Sequence, residues 1–277
     1  MSLQEAGGKR MLRVFITGAS SGIGAALARE YAAHGAMLGL VARRADVLAA
    51  LAAELPHPER HAVYALDVTD HAALHAAAHD FIARAGGTDV VIASAGVSTG
   101  TLTEHPEDQQ VFDAIFRINV SATFATFSPF IESMKTQTGP RRLVGIASVA
   151  GVRGLPGAGA YSASKAAVVC YCESLRLELK PYGIEVVTIA PGYIATPMTQ
   201  HNAYPMPFLM PAERFAAKAA RAIAGGASYR VIPWQMGVVA KLLRMLPNWL
   251  YDFAFSKAPH KARQDQAAQD QALKGQP

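Results

Sequence analysis

Cysteine is scarce in this sequence, which has only Cys170 and Cys172 among its 277 residues. Two positions apart on a helix, the two side chains point in different directions and cannot easily form a disulfide. The neighbouring residues provide no further ligands for a metal ion, so we expect no metal site. The pair is typical of small buried side chains in a reducing compartment.

Long apolar runs are also missing from the chain. No uninterrupted stretch approaches the roughly 20 residues that are needed to cross a bilayer. Residues 1–10 lack the hydrophobic centre of a signal peptide, and we expect them to be a disordered segment outside the fold. A soluble cytoplasmic protein is therefore expected.

Charge is modest and dispersed, with a formal net charge of +5 and no cluster of basic residues. A nucleic-acid-binding protein normally carries a clustered basic stripe, so we expect no nucleic-acid partner. A dispersed positive balance instead suits the attraction of an anionic cofactor or substrate. The chain is 51% hydrophobic and 17% charged, which allows a substantial core.

Short apolar segments alternate with alanine-rich helical ones along most of the chain. The predicted strands are 12–17, 37–42, 61–66, 89–93, 142–147, 184–190 and 229–233. The predicted helices are 23–34, 45–55, 70–85, 109–136, 160–181 and 212–224. Nearly continuous apolar strands are covered on both faces, and this alternation implies a parallel sheet with right-handed crossovers. The predicted fold class is α/β, a doubly wound parallel sheet of about seven strands with helices on both faces.

We expect one domain over residues 11–257, because the chain shows no linker, low-complexity tract or internal repeat. Residues 192–211 form a long loop rich in proline and methionine, and such loops in compact domains are usually functional. Residues 258–277 are polar and are expected to be a frayed tail.

A glycine-rich turn joins the first predicted strand to the first helix. Its residues are Thr17, Gly18, Ala19, Ser20, Ser21, Gly22, Ile23 and Gly24. The glycines let the backbone turn tightly and approach a ligand, and the helix start directs N–H groups at a pyrophosphate. This context favours a dinucleotide site. The alternative is a glycine-rich connection that binds nothing.

The end of the second strand predicts which dinucleotide is bound. An NAD enzyme places a carboxylate there to bind the ribose hydroxyls, whereas this strand ends in Ala42, Arg43 and Arg44. A guanidinium can grip a 2′-phosphate, so we predict NADP(H) as the cofactor, although both arginines could simply begin a solvated helix. Asp67, followed by Val68, is placed to bind the adenine amino group, and it could also cap the next helix with Thr69.

A tyrosine and a lysine four residues apart, Tyr161 and Lys165, lie on one face of a predicted helix. A neighbouring ammonium favours the phenolate and lowers the pKa of the tyrosine toward the range that is useful for proton transfer. Ser148 ends the fifth strand, where its hydroxyl can bind a substrate carbonyl or merely cap the strand. Asn119 lies among apolar neighbours and needs a specific partner, which a structural core amide would also have.

The chain resembles the short-chain dehydrogenase/reductase family over nearly its whole length. The matching residues are Thr17-Gly18-x-x-x-Gly22-x-Gly24, Asp67, Ala95-Gly96, Asn119, Ser148, Tyr161-x-x-x-Lys165 and Pro191-Gly192. The resemblance implies a Rossmann fold, a general acid/base role for Tyr161, and a lysine at 165 that binds the nicotinamide ribose and tunes the tyrosine. It also implies that Ser148 orients the carbonyl and that Asn119 holds a water in a proton relay.

The same resemblance implies which residues carry the nicotinamide side of the site. These are Pro191, Gly192, Ile194 and Thr196, with the Ile194 N–H bonding the carboxamide. The family usually has Asn-Asn-Ala-Gly after the fourth strand, whereas this chain has Ala-Ser-Ala-Gly at 93–96. That departure puts local hydrogen bonding in question more than catalysis. The family also forms homodimers or homotetramers through helices such as 109–136 and 160–181.

The loop 192–211 contains no Arg or Lys between its first and last residues to hold an anionic group. Its apolar side chains are Met198, Tyr204, Met206, Phe208, Leu209 and Met210, which either line a substrate pocket or pack the loop itself. We therefore expect an apolar ketone, aldehyde or secondary alcohol as substrate. Residues 234–255 are also apolar at helical spacing and could cover the pocket, form a dimer contact or lie on a membrane surface.

The leading hypothesis is an NADP(H)-dependent oxidoreductase that uses Tyr161 to exchange a proton with a carbonyl or alcohol substrate. One alternative is a non-catalytic, NADP(H)-sensing regulatory protein on the same fold. Another is a membrane-surface lipid or steroid reductase anchored by residues 234–255, although membrane binding is the less favoured interpretation of that segment.

Overall fold

The apolar segments assemble into one parallel sheet in a computed structural model that describes residues 10–200, 202, 204–256, 261 and 263. The strands of this sheet are β1 (Arg13–Thr17), β2 (Met37–Ala42), β3 (Ala62–Ala65), β4 (Val90–Ala93), β5 (Arg142–Ile146), β6 (Glu185–Pro191) and β9 (Tyr229–Ile232). Each predicted strand is confirmed to within two residues at either end. All residues of β1 and β4 are buried, as expected of strands covered on both faces.

The sheet has the strand order β3-β2-β1-β4-β5-β6-β9, and every pairing in it is parallel. The order reverses between β1 and β4, because the chain leaves β3 at one edge and returns to the middle of the sheet. In open α/β sheets ligands bind outside the carboxyl ends of the strands at such a reversal. The fold therefore marks the ends of β1 and β4 as the place for a ligand.

Helices cover both faces of the sheet, as the sequence predicts. They are α1 (Gly22–Ala33), α2 (Ala45–Glu54), α3 (His71–Ala85), α4 (Gln109–Phe116), α5 (Ala122–Thr136), α6 (Gly159–Leu179), α7 (Ala212–Ala224), α8 (Trp234–Met245) and α9 (Asn248–Phe255). Buried side chains of α1, α2 and α7 form a core on one face, and those of α3, α5 and α6 form a core on the other. Leu27 and Phe215 belong to the first core, Phe127 and Phe130 to the second.

Two predicted helical segments are each divided in the structure. The segment 109–136 contains a π-helical turn, Arg117–Ser121, between α4 and α5, and such turns are frequent at functional sites. The segment 234–255 is interrupted at Pro247, which lacks the backbone N–H that a continuing helix would need. One prediction about cysteine was wrong: Cys172 is buried, but Cys170 is exposed on the outer side of α6.

The helical stretch Pro106–Thr136 is the one helix among the described residues that is long and apolar enough to cross a membrane by length and composition. Side chains such as Phe127, Phe130 and Met134 are fully buried against the sheet. In this fold the stretch therefore serves as a core helix.

The loop 192–211 has short strands of its own. β7 (Ile194–Ala195) pairs in parallel with β8 (Met210–Pro211), so both ends of the loop are joined beside β6. Residues 201 and 203 lie outside the described part of this loop.

The predicted tail 258–277 lies outside the described residues except for Lys261 and Arg263. Arg263 forms a parallel β-bridge with Gly100, and its guanidinium binds Glu107 and Asp108. The predicted disordered segment 1–10 is described only at Arg10, which binds Asp89.

Candidate active site

A cavity of about 320 Å³ opens at the carboxyl ends of the strands, and its volume is in the range of small-molecule sites. Every residue predicted to bind the cofactor lines it, from the glycine turn to the nicotinamide side. These residues are Gly18, Ser20, Ser21, Gly22, Ile23, Gly24, Arg43, Arg44, Asp67, Val68, Ala95, Gly96, Tyr161, Lys165, Pro191, Gly192, Ile194 and Thr196. Ser148 lines the same cavity, whereas Asn119 lies behind it.

The glycine turn is shaped by close backbone approaches. Gly18 has a φ of 70°, and a Cβ added there would lie 2.8 Å from the Cα of Ala95 in the loop after β4. A Cβ on Gly24 would lie 2.2 Å from the carbonyl oxygen of Gly18. A side chain at Gly18 would push the glycine turn away from the loop after β4, and one at Gly24 would distort the glycine turn itself.

The start of α1 faces the cavity and suits an anion. Ser21 precedes the helix in an extended conformation, and its hydroxyl does not cap the helix. The first N–H groups of an α-helix have no partner within the helix, and here Gly22, Ile23 and Gly24 line the cavity. The first turn contains no acidic residue that would repel an anion. The turn therefore fits a pyrophosphate group.

The two predicted phosphate-binding arginines lie at the same end of the cavity in different environments. One guanidinium nitrogen of Arg44 lies 3.2 Å from the Ser20 hydroxyl oxygen, so this side chain is held against the glycine turn. The guanidinium of Arg43 lies 3.8 Å from the carboxylate of Asp67, an exposed and loose ion pair. The positive charge of Arg43 is thus partly offset, whereas that of Arg44 has no acidic partner within 4.0 Å among the described residues.

Asp67 folds the turn after β3 rather than capping the next helix. The backbone N–H and the hydroxyl of Thr69 each donate to the Asp67 carboxylate at 2.8 Å. Asp70 is the residue that caps α3, by accepting from the Ala73 N–H. Partial burial opposes ionisation, but the bonds from Thr69 and the charge of Arg43 outweigh it and hold the pKa of Asp67 below its usual value.

Thr17 supplies local hydrogen bonds in the loop whose sequence departs from the family pattern. Its hydroxyl oxygen accepts from the N–H groups of Ser94 and Ala95 at 3.2 and 3.3 Å. The same hydroxyl lies 3.4 Å from the Ile92 carbonyl, to which it donates. The end of β1 therefore organises this loop.

Tyr161 and Ser148 meet although they belong to different elements. Ser148 follows β5, and its hydroxyl oxygen accepts from the Ala150 N–H at 3.1 Å and hydrogen-bonds the Tyr161 side chain. Burial raises the pKa of Tyr161, and the bond with Ser148 offsets part of that increase. The sequence-based expectation that Lys165 lowers this pKa stays a prediction, because burial has the largest effect on the phenol and Ser148 provides the opposing contact.

Lys165 is almost completely buried between α6 and the sheet. Its ammonium lies 5.9 Å from the centre of the Tyr161 ring and donates to the carbonyl oxygen of Ile146, the last residue of β5, at 2.9 Å. Burial lowers the pKa of Lys165 to about 8. This hydrogen bond joins α6, which contains Tyr161, to β5, the strand that Ser148 follows.

Asn119 lies in the π-helical turn and binds protein groups with its whole amide. Its Oδ1 accepts from the Val97 N–H, and its Nδ2 donates to the Val97 carbonyl and to the Ser164 hydroxyl, all within 3.0 Å. A Cβ at Gly96 would lie 3.2 Å from this Oδ1 and 3.4 Å from the Lys165 ammonium. The side chain therefore joins the loop after β4 to α6 beside Lys165, and the relay implied by the resemblance stays a prediction.

Only part of the predicted apolar loop faces the site. Met198 lines the cavity. Burial, together with the nearby phenols of Tyr193 and Tyr161, raises the pKa of Tyr204. The side chains that lie elsewhere are Phe208, Leu209 and Met210, which line a shallow hollow with Trp234 of α8. Phe208, Leu209 and Met210 do not line the cavity that holds Tyr161.

Sequence reasoning missed two groups near Tyr161. Lys261 belongs to the predicted tail, yet its ammonium lies 6.0 Å from the centre of the Tyr161 ring. Ser98, just after the loop that follows β4, accepts a hydrogen bond from that ammonium at 2.7 Å. No motif surrounds Lys261, so the sequence carries no signal for this contact.

With this geometry established, comparison with known proteins assigns the chain to a family. The pattern of the short chain dehydrogenases matches residues 13–205, and the chain belongs to that family. It is an oxidoreductase of the kind that acts on carbonyl or alcohol groups with a nicotinamide cofactor.

Similar proteins support this assignment over most of the chain. An uncharacterised oxidoreductase of Myxococcus xanthus is 37% identical over 86% of this chain and 94% of its own length. A 2-dehydro-3-deoxy-L-rhamnonate dehydrogenase (NAD(+)) of a Sphingomonas species is 38% identical over 66% of this chain and 72% of its own. The crystal structure of a 3-ketoacyl-(acyl-carrier-protein) reductase from Brucella melitensis with NADH has a TM-score of 0.72 at 26% identity, covering 80% of this chain and 96% of that one.

A side chain at Gly18 should distort the wall of the cavity. In Gly18→Ala the new methyl group collides with backbone at a strained φ, so we expect cofactor binding to weaken by roughly tenfold or more. Gly35→Ala is the matched control, because Gly35 has a φ of 80° but no atom within 4 Å of an added Cβ. Fluorescence titration with NADPH measures both, and equal binding by the two variants would contradict the crowding argument.

Proposed function

We propose that the chain is an NADP(H)-dependent oxidoreductase in which Tyr161 exchanges a proton with a carbonyl or alcohol substrate. The observation that carries the proposal is the arrangement of one cavity. Tyr161, Ser148 and Lys165 lie at one end, and Arg43 and Arg44 lie at the other beside the start of α1. A dinucleotide whose pyrophosphate binds α1 fits an arrangement of this kind, with its phosphate-bearing ribose toward the arginines.

When bound, the nicotinamide supplies or accepts the hydride, and the residues around Tyr161 manage the proton. In reduction Tyr161 donates its phenolic proton to the carbonyl oxygen, and in oxidation it accepts the proton of the alcohol. The Ser148 hydroxyl hydrogen-bonds both that substrate oxygen and the phenol of Tyr161. Lys165 contributes positive charge that stabilises a phenolate after the proton has left.

The physical state of Tyr161 favours reduction at neutral pH. Burial raises the pKa of its phenol, so the proton that a carbonyl needs is present. A non-catalytic sensor would require none of this arrangement, because cofactor binding alone has no use for a desolvated phenol beside a serine hydroxyl. We therefore favour an enzyme over a regulatory protein.

Removing the phenolic hydroxyl should stop chemistry and spare binding. We expect Tyr161→Phe to lower carbonyl reduction by roughly 10²–10⁴-fold, the range of general acid catalysis, with NADPH affinity nearly unchanged. Tyr171→Phe on the same helix is the control and should keep full activity. Single-turnover NADPH oxidation measures the rate, and comparable loss in both variants would show that the fold rather than the proton donor was damaged.

The pH dependence should depend on Ser148. Reduction needs protonated Tyr161, so its rate should be constant at low pH and fall as the pH rises through the pKa of the phenol; oxidation should change in the opposite sense. The bond from Ser148 lowers that pKa, so Ser148→Ala should move the fall in reduction to higher pH, and Ser148→Thr should restore it. Profiles of kcat against pH measure the effect, and a shift to lower pH would contradict this role.

Preference for NADP(H) rests on Ala42, Arg43 and Arg44, because no carboxylate ends β2. We expect Arg44→Ala to weaken NADPH binding about tenfold or more while NADH binding stays nearly constant. Arg43→Ala should have the smaller effect, since Asp67 already offsets its charge. Arg84→Ala, on the far side of the molecule from this proposed role, is the charge-matched control.

Titration of each variant with both cofactors measures the preference. Equal binding of NADPH and NADH by the unsubstituted protein would refute it. Two of the similar proteins make this comparison necessary, since one is named for NAD(+) and the other was crystallised with NADH.

We propose that the enzyme is a single catalytic domain over residues 11–257 that assembles as a homodimer or homotetramer in the cytoplasm. Exposed apolar side chains on the helices expected to form the interface support assembly, notably Phe112, Phe124 and Leu177. Light scattering measures how many chains assemble in the unsubstituted protein and in Phe124→Glu.

We expect no nucleic-acid partner and no metal. Among the described residues, no group of His, Cys, Asp and Glu side chains could hold a metal ion.

The helices α8 and α9 support a second candidate, a membrane-surface reductase. Met236 of α8 is buried beside Gly192 of the cavity, while the outer side of the two helices exposes Leu242, Trp249 and Phe253. Exposed apolar and basic side chains together suit an anionic lipid surface. Co-sedimentation with anionic vesicles, compared between the unsubstituted protein and Leu242→Glu, distinguishes this candidate from the soluble enzyme that we favour.

A further inference from the structure

The Lys261 side chain lies beside the proposed proton donor and belongs to no motif that the family resemblance uses. Its ammonium lies 6.0 Å from the centre of the Tyr161 ring, a distance similar to the 5.9 Å of Lys165. Lys165 is buried and donates to a backbone carbonyl, whereas Lys261 is only partly buried. Two ammonium groups therefore lie near one phenol, and only Lys165 has a role in the proposed reaction.

Lys261 is held in place by the residue two positions further along the chain. The Arg263 guanidinium donates two bonds to the Asp108 carboxylate at 3.0 Å and a third to Glu107 at 2.9 Å. Asp108 is itself buried and accepts from the Leu102 N–H at 2.8 Å. Bidentate pairs of this kind fix geometry as well as charge, so Arg263 is held beside the elements that follow β4, and Lys261 lies two residues before it.

The charge of Lys261 is not balanced by the part of the protein that the structure describes. Its ammonium donates to the Ser98 hydroxyl at 2.7 Å, and no described carboxylate lies within 4.0 Å of it. Burial lowers its pKa to about 8, which expresses the cost of keeping this cation partly out of water. An anionic group from outside the chain would relieve that cost.

We propose that Lys261, with Ser98, binds a carboxylate of the substrate while the substrate carbonyl lies at Tyr161. The substrate class is then an oxo acid, or the corresponding hydroxy acid in the reverse direction. A single ammonium matches a single negative charge, which favours a carboxylate over a dianionic phosphate. This inference rests on the proposed function and replaces the expectation of a purely apolar substrate.

The sequence-based expectation of an apolar substrate has a specific basis. It depended on the absence of Arg and Lys within the loop 192–211, which is correct for that loop. The cation comes instead from a segment some fifty residues later, which the contacts of Arg263 bring back to the site. Met198 and Tyr204 from the loop still supply apolar surface for the carbon chain of an acid.

Paired substrates test the role of Lys261 without disturbing the proton donor. Straight-chain 2-oxo and 4-oxo acids are assayed beside their methyl esters, which keep the carbonyl and remove the charge. For the best acid of the set, the unsubstituted protein should show a KM at least about tenfold below that of its ester. Lys261→Met should raise the KM for the acid by about tenfold and leave kcat and the ester nearly unchanged, and Lys261→Arg should retain the preference for the acid.

Each other outcome has a defined meaning. If the unsubstituted protein prefers esters, or if Lys261→Met affects acid and ester equally, the assignment of Lys261 is overturned while turnover of the ester upholds the oxidoreductase. If no acid, ester or neutral carbonyl compound oxidises NADPH, the proposed function itself fails. Arg263→Ala provides a second variant, and it should weaken acid binding in the same direction because it releases the segment that carries Lys261.

Discussion

All strands of the seven-stranded sheet run in the same direction, so their carboxyl ends lie along one edge. That alignment brings the glycine turn after β1, the arginines after β2, Ser148 after β5 and Pro191 at the end of β6 around one cavity. Helix starts point to the same edge because each crossover helix begins where a strand ends. Chemistry at this edge therefore follows from the direction of the strands, and the side chains select which chemistry is possible.

Desolvation has the largest effect on the pKa values of the three titratable groups around the Tyr161 phenol. It raises the pKa of Tyr161 and lowers the pKa of Lys165 and of Lys261, each to about 8. A protonated phenol beside two ammonium groups is suited to give a proton to a carbonyl oxygen. In the reaction that we propose, the same positive charges stabilise the phenolate that remains, so burial and charge act at successive stages.

Local patterns predicted the parts of this site that are local in the chain. The glycine turn, the i,i+4 spacing of Tyr161 and Lys165, and the arginines after β2 each depend on a few neighbouring residues. The strand and helix alternation predicted the sheet for the same reason. Those predictions needed no knowledge of tertiary packing.

Other features depend on contacts between distant segments, and the sequence contains no signal for them. The raised pKa of Tyr161 depends on how deeply α6 is packed, and the partners of Asn119 depend on the loop after β4. The position of Lys261 near the Tyr161 ring depends on the hydrogen bonds between Arg263 and Asp108, which lies 155 residues earlier in the chain. The position of Phe208 beside Trp234 of α8 likewise depends on tertiary packing.

We propose above all that this chain moves a hydride between NADPH and a substrate carbonyl at Tyr161. Isotope transfer tests it most directly: NADPH carrying deuterium at the reactive carbon of the nicotinamide is turned over with a panel of oxo acids and neutral ketones. We predict that the deuterium is recovered on the carbinol carbon of the product alcohol. When only the solvent is deuterated, that carbon should carry no deuterium. Cofactor oxidation without transfer of the label to product, or the label arriving from solvent, would contradict it.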